Sequence, residues 1–310
     1  MSSPNARIIT RRVVDNNVWL ANGGSHNPIS GLTPRKIVYE MLESEEAVGR
    51  AQVDELQRAA REKNGDLVII LLGGRGAQAM YRILGQLAEE SEADELFSRL
   101  HVFTQDALGP MRMDNGLSFV RDFERLLGQA FFNKVKSFTP MRTDTDDLEG
   151  AMTAYVDKLE SLGGIDIFFL GLGPEAGEAS HLCYIKPGSG ATARDVAGVI
   201  PISPTILEHH IAKFKIGGSA VTKADEAECR KATHIMTLGP AAILGARRIV
   251  QSIVDAATAP AKRACYRRLL ETEIEEDAAS RSAQCDENPG LWLRLHPNVR
   301  SLVLPDVFPA

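Results

Sequence analysis

The chain lacks what would tie it to a membrane, to nucleic acid or to an oxidising compartment. No apolar run is long enough to span a bilayer, and the opening Met1-Ser2-Ser3-Pro4-Asn5 has no apolar core of a secretory signal. Lysine and arginine number 35 against 41 aspartates and glutamates, a net charge of −6. That balance argues against a general binder of nucleic acid or anionic membrane. It leaves room for a small anionic ligand, for which a few local cations suffice. The four cysteines, Cys183, Cys229, Cys265 and Cys285, are widely spaced and form no C-x-x-C. They read as reduced thiols of a cytoplasmic protein, not as a disulfide framework or zinc site. No internal repeat or low-complexity segment interrupts the 310 residues. What is present is an ordinary globular composition, 44% hydrophobic and 25% charged, with length enough for a sizeable core.

Residues 1–34 read as an N-terminal extension. They carry the turn signals Asn22-Gly23-Gly24-Ser25 and Pro28, beside the apolar Ile8-Ile9 and Val18-Trp19-Leu20. Residues 35–310 then alternate between strand and helix patterns. Strands are expected at 36–41, 67–72, 101–104, 165–170, 199–202, 249–254 and 299–304. Leu67 to Leu72 is a continuous apolar run, as in a parallel strand buried on both faces. Helices are expected at 43–63, from about Ala77, at 147–162 and from Pro240 to about Arg248. In the third of these, Leu148, Met152, Tyr155, Leu159 and Leu162 share one face. The stretch 271–287 is acidic and reads as a solvated helix and loop. The alternation makes the class α/β, a mainly parallel central sheet flanked by helices.

Several segments could carry chemistry. Gly73-Gly74-Arg75-Gly76 lies between a strand and a helix, where backbone N–H groups and the helix dipole can hold a phosphate and Arg75 can clamp it. It completes neither the Walker nor the dinucleotide pattern, and a purely structural turn is the equal alternative. Asp106 falls just past the strand 101–104, placed for proton transfer or for a turn or cap. The run Gly164 to Gly173 ends a buried strand on glycines, and the loop beyond it holds Glu175, Glu178 and His181. His181 can act as an acid or base near neutral pH, with either glutamate orienting it. The His209-His210 pair lacks the spacing of a helical zinc site. Lys262 opens a basic helix with Arg263, Arg267 and Arg268.

In order, these pieces resemble the glucosamine-6-phosphate deaminase/6-phosphogluconolactonase family. Gly73-Gly74 is similar to its phosphate loop, Phe103-Thr104-Gln105-Asp106 to the deaminase Phe-Asn-Met-Asp, and Gly164-Ile165-Asp166-Ile167-Phe168 to Gly-Gly-Ile-Asp-Leu-Phe. Gly171-Leu172-Gly173, Thr237-Leu238-Gly239 and Leu295-His296-Pro297-Asn298 follow in the family's sequence. Anchoring on Pro187-Gly188-Ser189 places His181 on the family's ring-opening histidine, with about four inserted residues near 174–177, a tolerable surface insertion. Anchoring on Gly173-Pro174-Glu175 keeps an acid and loses the histidine. The first is preferred.

The resemblance implies a modified Rossmann-like sheet of the sugar-phosphate isomerase type and a phosphorylated sugar as partner, with self-association left open. It implies no metal and no organic cofactor. Asp106 would be the proton-transferring base, and His181, with Glu175 or Glu178, the ring-opening group. Gly73, Gly74, Arg75, Gly76 and Lys262 would hold the phosphate, with His210 near the position of the family's phosphate-binding arginine. Lys186 stands where the family has a glutamate, and its cation should keep His181 neutral. A lactonase and a catalytically impaired phosphosugar-binding protein are the alternatives.

Overall fold

The computed structural model describes residues 32–309. Most of the expected N-terminal extension, with Ile8-Ile9 and Val18-Trp19-Leu20, lies outside the described residues. The strands among them are β1 (Tyr39–Met41), β2 (Leu67–Leu71), β3 (Leu100–Thr104), β4 (Asp106–Gly109), β5 (Ser137–Thr139), β6 (Ile167–Leu170), β7 (Gly173–Pro174), β8 (Ser180–His181), β9 (Ala197–Pro201), β10 (His234–Leu238), β11 (Arg248–Ile253) and β12 (Val299–Val303). The helices are α1 (Glu45–Glu62), α2 (Gln78–Ala88), α3 (Asp94–Phe97), α4 (Phe119–Lys134), α5 (Leu148–Ser161), α6 (Pro204–Ile216), α7 (Lys223–Cys229), α8 (Pro240–Gly245), α9 (Ala261–Glu271) and α10 (Ala278–Glu287).

Seven strands form a parallel sheet in the order β1-β12-β11-β6-β2-β3-β5. Strands β6 and β2, at its centre, are apolar throughout because both faces are covered. Along β2, Leu67, Ile69 and Leu71 enter one core while Val68 and Ile70 enter the other. Along β6, Ile167 and Phe169 alternate in the same way with Phe168 and Leu170. The first core is closed by Leu56, Leu84 and Phe123 of α1, α2 and α4. The second is closed by Met152, Tyr155 and Leu159 of α5 and Tyr266 and Leu269 of α9.

The chain runs outward from β2 through β3 to β5, then returns to the other side of β2 with β6. The sheet therefore reverses direction between β2 and β6, and a crevice opens at their carboxyl ends. Asp166 locks this junction. Its Oδ2 accepts from the backbone N–H of Val68 at 2.8 Å and from Lys63 Nζ at 2.7 Å, while Arg247 reaches Oδ1 at 3.2 Å.

Three expectations are corrected. The segment expected as a strand at 199–202 is β9, which does not join the parallel sheet. It lies antiparallel to β10 in a separate sheet ordered β4-β10-β9. Asp106 does follow the end of β3, but the turn or cap alternative is corrected, because it opens β4, paired with Thr237. The helix from Pro240 stops at Gly245, and Arg248 already belongs to β11, because Arg248 N–H donates to the carbonyl of Asp166 and Ile249 pairs with Phe168. Among the described residues, no helix is long and apolar enough to cross a membrane.

Candidate functional site

The crevice between β2 and β6 forms a cleft at the carboxyl ends of the strands, where ligands of open parallel sheets bind. Gly73, Arg75 and Gly76 after β2, Gln105 and Asp106 after β3, and Gly171 to Gly173 after β6 line it. His181, Cys183 and Tyr184 enter from the following segment, His209 and Lys213 from α6, Ser252 from β11, Asp255 from the loop after it and Lys262 from α9.

The segment after β6 folds back on itself. Gly173 pairs with His181 and Pro174 with Ser180, so residues 175–179 connect the two arms of a hairpin, with 176–178 at its exposed tip. The pairing brings Glu175 to the histidine, and His181 Nδ1 donates to Glu175 Oε1 at 2.7 Å. A carboxylate only accepts, so the proton sits on Nδ1 and Nε2 keeps its lone pair. Nε2 lies over Gly173, where a Cβ would fall 1.8 Å from it; only glycine leaves room for the ring. Burial lowers the His181 pKa, Glu175 opposes that, and Lys213 and Lys262 lower it further, with a net fall that leaves the ring neutral. Lys186, expected to exert this effect, points its ammonium at the carbonyl of Pro201, 3.2 Å away. Glu178 is exposed at the hairpin tip with φ 62° and does not line the cleft.

Two residues beyond the histidine the backbone turns sharply. Cys183 and Tyr184 have φ of 50° and 57°, and Leu182 and Ile185 exchange hydrogen bonds across them. Both central residues of this tight turn occupy the left-handed region that non-glycine residues avoid. The threonine hydroxyl of Thr237 donates to the Cys183 carbonyl and holds the turn in place. The turn sets Tyr184 against the cleft, its hydroxyl 3.5 Å from Lys213 Nζ.

Asp106 is 2% exposed, and its Oδ1 has no hydrogen-bond partner. Burial pushes its pKa up to about 7, against the pull of Lys213 and Gln105. An unpaired carboxylate oxygen at that depth is costly and uncommon. Lys213 is the reciprocal group. Burial brings its pKa down to about 8 while Asp106 raises it. Its Nζ lies 5.6 Å from the Phe119 ring centre and 5.5 Å from that of Tyr184, within cation–π reach. A Cβ on Gly74, whose φ is 96°, would come within 3.0 Å of the Lys213 ammonium, so this cation lies directly on the glycine turn.

Other anion-binding candidates are placed less simply. Arg75 lines the cleft but is ion-paired with Glu45. Lys262 lines it and contacts both oxygens of Asp255 at 2.7 and 2.8 Å. His210 is not in the cleft. Its Nε2 donates to the carbonyl of Leu117 at 2.8 Å and its Nδ1 accepts from Tyr184 at 3.0 Å, with burial taking its pKa to about 3. The neighbours His209 and Lys213, one turn apart on α6, face the cleft instead. Helical spacing turns His210 away from that face. Lys213 and Asp255 sit in no sequence motif, and His209 stands out only as half of the His209-His210 pair; the one available signal is the i, i+4 spacing of His209 and Lys213, which needs the helix α6 to be recognised. Among the described residues, no cluster of His, Cys, Asp and Glu is arranged to hold a metal ion.

This architecture has known counterparts. The chain resembles a monomeric glucosamine-6-phosphate deaminase of known structure, with a TM-score of 0.65, 20% identity, and coverage of 87% of this chain and 98% of that one. A 6-phosphogluconolactonase from Trypanosoma cruzi superposes with a TM-score of 0.58 at 15% identity, over 89% and 96% of the two chains. At such identities the likeness is one of fold. In sequence, a glucosamine-6-phosphate deaminase from Cutibacterium acnes is 25% identical over 268 residues, 84% of this chain and 87% of that protein. One from Clostridium beijerinckii is 24% identical over 238 residues, 76% and 84% of the two. The model of the glucosamine-6-phosphate isomerases/6-phosphogluconolactonase family matches residues 43–287, and the chain belongs to that family.

Proposed function

We propose that the chain is a sugar-phosphate enzyme that opens a hexose phosphate ring and moves a proton between C1 and C2, as a deaminase or isomerase does. The observation that carries this reading is Asp106, a buried carboxylate with an unpaired oxygen in the cleft and a pKa near neutrality. A base matched to the working pH is what proton abstraction beside a carbonyl requires. The phosphate would lie on the Gly73–Gly76 turn, against Lys213 and Lys262. His181, held by Glu175, takes the proton of the C1 hydroxyl at Nε2 and delivers it to the ring oxygen as the C1–O bond of the ring breaks. Asp106 then takes the C2 proton, exchanges it with solvent while the intermediate is bound, and protonates C1. With a 2-amino sugar the resulting imine is hydrolysed and ammonia leaves; with a 2-hydroxy sugar the product is the ketose. The reading calls on no metal or organic cofactor. The four free, buried cysteines fit a reducing cytoplasm.

The Glu175–His181 pair favours a second reading, lactone hydrolysis. There Nε2 takes a proton from water, the hydroxide adds to the lactone carbonyl, and the ring oxygen leaves with the proton. A turnover screen in heavy water separates the two. Amino- and hydroxy-hexose 6-phosphates are expected to acquire solvent deuterium at C1. Lactone hydrolysis with no exchange on any hexose phosphate would select the second reading. Binding of these compounds without turnover would select a phosphosugar-binding protein.

A further inference from the structure

The cleft holds a carboxylate at the end where an anion should bind. Asp255 follows β11, Lys262 lies in the first turn of α9, and the intervening loop folds them together. Asp255 is 7% exposed and lines the cleft. The charged and titratable groups facing it are Lys262 on α9, Lys213 and His209 on α6, and Arg75 on the turn after β2. Arg75 is already paired with Glu45, and Lys262 with both oxygens of Asp255. A fully ionised phosphate monoester offers only acceptors, and beside Asp255 it meets a like charge with nothing to donate. A carboxylate has about four lone-pair sites, and Lys262 uses one on each oxygen. Acceptor capacity therefore remains.

We propose that Asp255 accepts a hydrogen bond from a P–OH of the bound phosphoryl group, so that the cleft takes phosphate monoesters in their singly protonated form. This rests on the sugar-phosphate reading above and specifies the ligand's ionic state at that site. The P–OH to carboxylate bond is a charge-assisted one, among the strong class. The remaining phosphoryl oxygens accept from the glycine turn, Lys213 and Lys262. A phosphate monoester loses its last proton with a pKa of about 6, so both forms are present near neutrality and the site selects between them.

The test is calorimetric titration of the full chain with inorganic phosphate and with sulfate, at pH values from about 5.5 to about 8. Phosphate keeps at least one P–OH throughout this range and sulfate keeps none. Asp106 and Lys213 titrate in the same window, so the readout is the ratio of the two affinities at each pH. Phosphate should bind at least about tenfold tighter than sulfate at every pH, a free-energy difference of about 1.4 kcal/mol. In Asp255→Asn the ratio should fall toward one. The wild-type ratio needs no variant, so a failure of Asp255→Asn to fold leaves the test intact. A hexose 6-phosphate and the free hexose are titrated alongside. Sulfate binding as tightly as phosphate, while the hexose 6-phosphate binds better than the hexose, overturns the role of Asp255 and spares the sugar-phosphate reading. A hexose 6-phosphate that binds no better than the hexose overturns both.

Discussion

His181 and Glu175 are six residues apart in the chain, yet their side chains meet at 2.7 Å because the pairing of β7 with β8 folds Glu175, the residue just after β7, back over His181. The two alignments of this loop that the sequence allows, one keeping the acid and one keeping the histidine, are reconciled by that contact. The residues between them lie in the exposed turn of the hairpin, so the fold brings the acid and the histidine together.

Glu175→Gln should lower turnover by about ten- to a hundredfold, the usual cost of removing a group that orients another. The amide can present either its oxygen or its NH2 to Nδ1, so the tautomer is no longer fixed. Loss of the carboxylate also removes the influence that raises the His181 pKa. Histidine chemical shifts recorded against pH should show that pKa fall further, which a merely structural role for Glu175 would not produce.

Asp106→Asn should lower turnover by at least about a hundredfold. It should also change how stability depends on pH. The folded-state pKa of Asp106 is raised from 3.8 to about 7, so between those values the folded chain holds a proton the unfolded chain has lost. Stability therefore falls as pH rises through this window, by up to roughly 4 kcal/mol from this group. Thermal unfolding at pH 4 and pH 8 should show the wild type losing more than the Asn variant. Equal losses would mean that Asp106 ionises freely.

Lys213→Met should raise the KM for phosphorylated substrates by at least about tenfold, as expected for losing a charge-assisted contact. Because Lys213 lowers the Asp106 pKa, the same variant should move the acid limb of the kcat/KM profile upward from about pH 7. An unchanged limb would separate Lys213 from the base.

Gly173→Ala tests the room left for the imidazole. A Cβ there would fall 1.8 Å from Nε2, so the ring must swing away or the hairpin must open. Activity should drop by about a hundredfold or more, as for a displaced catalytic group. The loss of stability should stay within about 1–3 kcal/mol, the range for a local overpacking. Full activity would place the ring elsewhere during turnover.

The parallel sheet was legible because burial on both faces leaves an apolar run, as at Leu67 to Leu72 and Ile167 to Leu170. Helix α5 was legible from one-sided spacing. The small antiparallel sheet was not. Asp106 to Gly109 is short and begins with a charge, and β9 looks like any other apolar run until its partner is known. Helix α4 went unassigned although Phe119, Phe123, Leu126 and Leu127 mark its buried face. At the site, residues in motifs could be found, whereas Lys213 and Asp255 owe their place to helix phase and loop closure. The resemblance pointed to His210, near the position of the family's phosphate-binding arginine, but sequence neighbours on a helix face different ways and it is His209 that lines the cleft.

The hairpin that joins Glu175 to His181 separates catalytic geometry from loop length. Its paired ends, Gly173 with His181 and Pro174 with Ser180, set where the two side chains stand; its tip, 176–178, is exposed. Residues can be added or exchanged at the tip while the acid and the imidazole stay in register. The tip is therefore a natural graft point, where a reporter peptide or a crosslinking handle could be installed beside the candidate site. A search that demands a fixed acid-to-histidine interval would pass over proteins built this way.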